Sequence, residues 1–386
     1  MTIRSRIEQL EDSPILDVWR LGFSVPGVIG LWAGEPDVPT PDFICDAAIA
    51  ALKAGKTFYT HNRGIPELRA ALAVYLERLY SVRVADERIA MTSSGMNSVV
   101  LTVQAIADAG DNAVVVTPSW PNIMRAFQVH GCAVRTVTLD HSNQGWRLDL
   151  QKVFDACDSR TRAIYYASPG NPTGWMLETD QAEALLAFAR KRNIHIIADE
   201  VYHRLVYDRP VAPSILELAK PDDPVFVVNS FSKSWAMTGW RMGWLIYPEG
   251  SAGAIEKLIQ FNTSGGQEFL QHGGIAALRD GEPFVKSFVE RCRQGRDIVN
   301  ARLAAMQGVS IVPCTGSFYT MFEVDGVSDT LDFCKRAVIE ARVGLAPGMA
   351  FGGGADTQIR LCYAKSPENL HEAMNRLEAF TASGRM

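Results

Sequence analysis

At 386 residues the chain is too long for one ordinary small domain, and two or three are expected. Its hydrophobic content of 47% and charged content of 21% are those of a soluble globular protein able to bury a large core. A formal net charge of −5 argues against nucleic acid as the main partner but leaves small anionic ligands open, because local groups decide their binding.

The opening "MTIRSRIEQLEDSPIL" lacks the apolar core of a signal peptide, and no uninterrupted apolar run of about 18 residues follows it. A cytoplasmic protein without a membrane span is therefore expected. Residues up to about 45 are rich in Gly and Pro, as in "VPGVIGLWAGEPDVPTP" (25–41), and read as an extended arm. "IPELRAALAVYLERLY" (65–80) then places Leu68, Ala71, Leu72, Tyr75, Leu76 and Leu79 on one helical stripe. Short apolar runs recur after it: "RIAMT" (88–92), "NAVVVT" (112–117), "CAVRTVTL" (132–139), "RAIYYAS" (162–168), "NIHIIAD" (193–199), "PVFVVNS" (224–230) and "GWLIY" (243–247). Most are continuous rather than alternating, as strands buried on both faces should be. Helical stretches such as "TDQAEALLAFARKR" (179–192) lie between some of them, which predicts an α/β fold with a mainly parallel sheet under helices.

The texture changes after about residue 280. "VKSFVERCRQGRDIVNARLAAM" (285–306) reads as a long amphipathic helix, "SFYTMFEV" (317–324) and "IRLCYA" (359–364) as strands, and "DTLDFCKRAVIEA" (329–341) and "ENLHEAMNRLEAF" (368–380) as helices. The expected division is an N-terminal arm with part of a small domain over 1–45, a large ligand-binding domain over 46–280, and a small C-terminal α/β domain over 281–386. Seven cysteines (45, 132, 157, 292, 314, 334, 362) form no CxxC pair and read as reduced thiols. Seven histidines form no ligand cluster; His195 reads as a packing residue, and no metal site is expected.

Ligands of parallel α/β sheets bind at the carboxyl ends of the strands, so the residues after each run are where chemistry is read. After "RIAMT" comes "SSGMNSVVLTVQAIA" (93–107), a small turn opening a helix: a plain Ser cap or an anion site. "TPSWPN" (117–122) offers Trp120 for packing or for stacking on a flat ligand, and "PGNPTG" (169–174) is a β-turn that can present the Asn171 amide. "DEVYHRLVY" (199–207) puts Asp199 at the end of a buried strand, costly unless it pairs with a proton or a cation. "NSFSKSWAMTGWRMG" (229–243) carries a single lysine and a single arginine, Lys233 and Arg241, in a stretch otherwise free of charge. One ligand uses all five offerings: pyridoxal phosphate, PLP, a flat, phosphorylated, basic aromatic aldehyde. Its aldehyde forms a Schiff base with lysine, an acid keeps its ring nitrogen protonated, and arginine with a helix N-terminus takes its phosphate.

The ordered set "LWAGEPDVPTP" (31–41), "YTHNRGIPELR" (59–69), "NPTG" (171–174), "ADEVY" (198–202), "SFSKSWAMTGWRMG" (230–243) and "PGMAFGGGADTQIRLCYA" (347–364) resembles the class I/II aminotransferases of the fold-type I PLP enzymes over nearly the whole chain. The resemblance implies an α/β fold-type I PLP-transferase, with a large, mainly parallel seven-stranded sheet domain and a smaller α/β domain. It makes Lys233 the Schiff-base lysine, Asp199 the ring-nitrogen partner, Tyr202 and Asn171 donors to the ring's phenolic oxygen, and Trp120 the stacking aromatic. Ser94, Gly95, Met96, Ser230 and Arg241 match the phosphate cradle; at Ser94 and Met96 the family varies, so the backbone carries the role. Tyr59 matches the tyrosine that reaches the phosphate of a neighbouring subunit, implying a homodimer with shared sites. Arg360 matches the clamp for the substrate α-carboxylate, with Gly34 and Asn171 beside it. The implied reaction moves an amino group between an L-amino acid and a 2-oxo acid by a ping-pong route; the alternative is an elimination on the same scaffold, either a C–S β-lyase or an aminocyclopropane-carboxylate synthase.

Other readings of these motifs lack their companions. "SFSK" fits the S-x-x-K of β-lactamases, but no SDN or KTG accompanies it. "FGGGAD" lacks the spacing of a dinucleotide fingerprint. A PLP-sensing transcription factor needs an N-terminal helix-turn-helix before the pattern, which here begins by about residue 30. Trp175, bulky just after "NPTG", is expected to pack rather than to narrow the pocket, and no second cation for a dicarboxylate substrate can be placed. Met96, Trp120 and Trp175 point to a neutral or aromatic substrate side chain.

Overall fold

The computed structural model describes residues 3–382. The seven apolar runs become strands β1 (Ile89–Thr92), β2 (Asn112–Thr117), β3 (Ala133–Thr138), β4 (Thr161–Ala167), β5 (His195–Asp199), β6 (Val225–Ser230) and β7 (Gly243–Ile246). They form one seven-stranded sheet in the spatial order β1-β7-β6-β5-β4-β2-β3. Strand β7 runs antiparallel to both neighbours, and the other pairs are parallel. The runs do not alternate because both faces are covered. One face packs with Leu68, Leu72, Leu185 and Trp235, the other with Val99, Leu101, Phe127 and Ile255. Strand β3, at the sheet edge, shows the polar exposure of an unpaired flank. The predicted helical stripe forms the helix Pro66–Tyr80, which buries Leu68, Leu72, Tyr75 and Leu76 against this sheet.

A second sheet gathers β8 (Val309–Val312), β9 (Tyr319–Val324), β10 (Ala346–Pro347) and β11 (Gln358–Cys362) in the antiparallel order β8-β9-β11-β10. The helices Glu282–Ala305 and Pro367–Ala382 cover it through Phe288, Val299, Leu303, Leu370 and Leu377. The N-terminal residues join this second core. Val18, Leu31 and Trp32 belong to the same cluster, and Ile29 and Gly30 pair in parallel with Val343 and Gly344. Gly344 is required there, because a Cβ would overlap the Trp32 indole.

The arm is not extended throughout, as its composition suggested. Pro14–Gly22 is a helix with proline in its first turn, and it places Val18 in the core with Ile15 and Leu21 against it. The Gly/Pro-rich run that dominates the composition lies beyond this helix. Among the described residues no helix is long and apolar enough to cross a membrane.

Candidate active site

The carboxyl ends of β1, β2, β4, β5 and β6 open on a cavity of about 480 Å³. It is lined by Gly34, Gly95, Met96, Trp120, Asn171, Asp199, Tyr202, Ser230, Lys233, Arg241 and Arg360. Eleven of the thirteen residues singled out from sequence thus meet in one place. Ser94 stands just behind, as the cap of the helix Gly95–Ile106. Tyr59 lies outside the cavity of its own chain and is 93% exposed. Trp175 is buried with Leu148 and Leu177 and packs rather than lining the cavity.

The turn that opens the helix Gly95–Ile106 presents its backbone to the cavity. Ser94 Oγ accepts the Asn97 N–H at 3.0 Å, which leaves the Gly95 and Met96 N–H groups ahead of the first helical bonds. Gly243 lets β7 run beneath this turn, since a Cβ there would come within 2.6 Å of the Gly95 nitrogen. Across from it Ser230 caps the short helix Phe231–Ser234: its hydroxyl accepts the Ser232 N–H at 3.0 Å and donates to Met242 O at 3.1 Å. Arg241, in the left-handed region at φ 52°, sits at the mouth and donates to Thr238 O at 2.7 Å.

Lys233 projects from that short helix. Its Nζ donates to Gly34 O at 2.6 Å and lies 5.9 Å from the ring centres of Tyr202 and Phe318. Burial, aided by the charges of Arg360 and Arg241, pushes its ammonium down to about 8. Asp199, 7% exposed, accepts from the Tyr165 hydroxyl at 2.9 Å and from the Val201 N–H at 3.2 Å. Burial pushes its carboxyl up to about 6, against the pull of those two donors and of Lys233. The Tyr202 hydroxyl shares a 2.6 Å hydrogen bond with that of Tyr319.

Arg360 comes from the interior of β11. It donates to Asn171 Oδ1 at 2.9 Å and to Trp32 O, and its guanidinium carbon lies 4.5 Å and 4.8 Å from the ring centres of Tyr319 and Phe351. It is 3% exposed, its Nε has no hydrogen-bond partner, and among the described residues no carboxylate pairs with it. A buried cation with an unused donor is complementary to an incoming anion. Because Arg360 holds the Asn171 oxygen, the amide nitrogen is left to donate.

Tyr319, Ser232 and Ile15 also line the cavity and Tyr165 stands behind Asp199, though no motif in the sequence marks them. Ser232 was within reach, inside the quoted "SFSK". The others need the three-dimensional arrangement: Tyr319 lies on the second sheet, Ile15 on the unforeseen helix, and Tyr165 in the middle of a strand.

A buried lysine with lowered proton affinity, set between a helix-opening turn of backbone N–H groups, a carboxylate and a buried guanidinium at the strand ends of a mainly parallel sheet, defines a pyridoxal-phosphate enzyme of amino-acid chemistry. The chain belongs to the aminotransferase class I and II family, whose model matches residues 26–377. It is 36% identical over 357 residues to the aspartate aminotransferase of Thermotoga maritima, covering 92% of each chain. Its fold matches the alanine aminotransferase of Pyrococcus furiosus with a TM-score of 0.93 at 27% identity, over 99% of this chain and 100% of that one. A single mutant of the Thermus thermophilus aspartate aminotransferase matches with a TM-score of 0.90 at 31% identity, over 98% and 99% of the two chains. The protein is a PLP-dependent aminotransferase, and these relationships do not favour the elimination alternative. The residues present fit the cofactor: free N–H groups and a cation for its phosphate, a buried carboxylate for its ring nitrogen, and an amine for its aldehyde.

Proposed function

We propose that Lys233 is the residue that carries the cofactor and moves the substrate proton, as the chain passes an amino group from an L-amino acid to a 2-oxo acid in two half-reactions. The observation that supports this most is the position of the Lys233 amine, buried in one cavity with Asp199, Asn171 and Arg360. When bound, pyridoxal phosphate supplies an aldehyde that condenses with amines and a ring that accepts electrons. In this reading Asp199 holds a proton at the ring nitrogen, Tyr202 and Asn171 donate to the ring oxygen, and Trp120 covers the ring. The Gly95 and Met96 N–H groups take the phosphate with Ser94, Ser230 and Arg241. Arg360 takes the substrate α-carboxylate beside Gly34 and Asn171, so that the Cα proton faces the Lys233 amine. A lysine pushed down to about 8 is neutral often enough to accept that proton.

Tyr59 is read as reaching the site of a second copy, in a homodimer. Its exposure of 93%, beside Phe58 at 80%, supports an unmet apolar face. The division into an arm over 1–45, a cofactor domain over 46–280 and a small domain over 281–386 is supported by the two sheets with their separate cores. Seven free cysteines support a reducing, cytoplasmic setting.

For the substrate side chain we favour a neutral or aromatic group. Lys233, Arg241 and Arg360 already have roles, and among the described residues the cavity has no further cation for a second carboxylate. The aspartate aminotransferase names of the relatives favour aspartate as the second reading. A screen of amino donors against 2-oxoglutarate and pyruvate separates the two. The expected result is a new amino acid formed in step with a 2-oxo acid; ammonia release without a new amino acid would overturn amino-group transfer.

A further inference from the structure

Ala167 is the cross-strand partner of Asp199 on the neighbouring parallel strand. Its methyl leaves open the space beside the carboxylate. Tyr165 lies two residues earlier on β4 and so points to the same face, where its long side chain reaches diagonally across. Its ring is wholly buried, and its hydroxyl donates to Asp199 Oδ2 at 2.9 Å while the Val201 N–H takes Oδ1 at 3.2 Å. Tyr166, next in sequence, faces the opposite core. Each carboxylate oxygen therefore has one donor from the chain and remains able to accept another.

We propose that Tyr165 is a positioning residue for the transfer reaction, holding Asp199 in one orientation and as an anion so that it can receive the protonated ring nitrogen. This rests on the reading that Asp199 is the ring-nitrogen partner. Asp199 alone in that strand end would be neutralised by its own burial. A phenol held well above its ordinary range, by burial and by the carboxylate itself, stays a donor at every working pH and opposes that neutralisation. The other charged groups acting on the carboxylate are Lys233, which favours the anion, and Glu200, which disfavours it.

The test is equilibrium dialysis of pyridoxal phosphate from the holoenzyme across pH, for wild type, Tyr165→Phe, Tyr166→Phe and Asp199→Asn. Cofactor retention in the wild type should rise as Asp199 ionises. Tyr165→Phe removes a donor to a charged group and should weaken binding about tenfold, moving the acid limb up by about one pH unit. Tyr166→Phe should leave both unchanged, and Asp199→Asn should weaken binding and abolish the limb. A 3-fluorotyrosine placed at position 165 keeps the packing and strengthens the donor, so it should move the limb the other way; it decides the matter if Tyr165→Phe does not fold. Wild-type affinity and limb in both position-165 variants, with Asp199→Asn impaired, would overturn the role of Tyr165 and leave that of Asp199 standing. Wild-type behaviour in Asp199→Asn would overturn both.

Discussion

The two halves of the cavity are built in different ways. The half read as holding the cofactor takes Gly95, Trp120, Asn171, Asp199 and Lys233 from five turns that follow five strands of one sheet. Each residue sits one to four positions beyond a strand or at its last position, on backbone that the buried sheet fixes. The half read as holding substrate takes Arg360 and Tyr319 from the second sheet, and Trp32 and Gly34 from the N-terminal segment. No single stretch of chain encodes it. Changes in the first half should therefore disturb cofactor retention and chemistry, and changes in the second should disturb substrate affinity with the cofactor in place.

The largest effect should come from the first half. Lys233→Ala removes the residue proposed as both covalent anchor and proton acceptor, and kcat should fall by about 10⁴-fold or more in a coupled transfer assay. A variant within tenfold of wild type would break the assignment. In the second half, Arg360→Ala should lower kcat/KM by about 100-fold, mainly through KM, with cofactor content unchanged by absorbance. Arg360→Lys should be intermediate, since an ammonium keeps the charge but not the two-pronged geometry toward Asn171 and Trp32 O. Loss of cofactor in Arg360→Ala would mean that the two halves are not separable.

The pH dependence sharpens the same division. Lys233 accepts a proton only as the neutral amine, and its affinity is lowered to about 8, so kcat should fall as pH drops below that value. A flat profile between about pH 6 and 9 would contradict the lysine as base.

The smallest effect is expected at Glu200, the neighbour of Asp199. Glu200 is the first residue past the strand, but its N–H still donates to Val228 O, so the strand's alternation carries through it and sends the two adjacent carboxylates to opposite sides. Glu200 does not line the cavity; it accepts from Ser214 Oγ at 2.7 Å and from the Ile215 N–H at 3.0 Å, and burial pushes it up to about 8. Its folded affinity for the proton thus exceeds the unfolded one. The stability this provides is complete below the ordinary carboxylate range and is lost as pH rises toward 8. Glu200→Gln cannot titrate, so its melting temperature should vary less between pH 5 and 8, by about 2 °C, with activity within about twofold of wild type. A large loss of activity would place Glu200 in the chemistry after all.

The contrast between the halves also explains what could be read in the sequence. Trp120, Asn171, Asp199 and Lys233 were legible because a strand end is a local signal: a continuous apolar run, then polar residues that a core would not tolerate. The seven strands were legible for the same reason. Arg360 was not legible from pattern alone. It lies inside a strand, paired with Met321 and Ala346, and only family resemblance singled it out. Tyr165 and Tyr319 escaped because an aromatic inside a buried strand looks like packing until its cross-strand neighbour is known. The helix Pro14–Gly22 escaped because the glycines and prolines that follow it dominate the composition of the arm.

One amine, that of Lys233, is proposed to carry the cofactor. Reduction of the holoenzyme with borohydride, followed by peptide mapping, tests it directly. A single pyridoxyl-modified peptide is expected, with the label on Lys233 in "SFSKSWAMTGWR". A label on another lysine, or protein that binds no pyridoxal phosphate to be reduced, would contradict it.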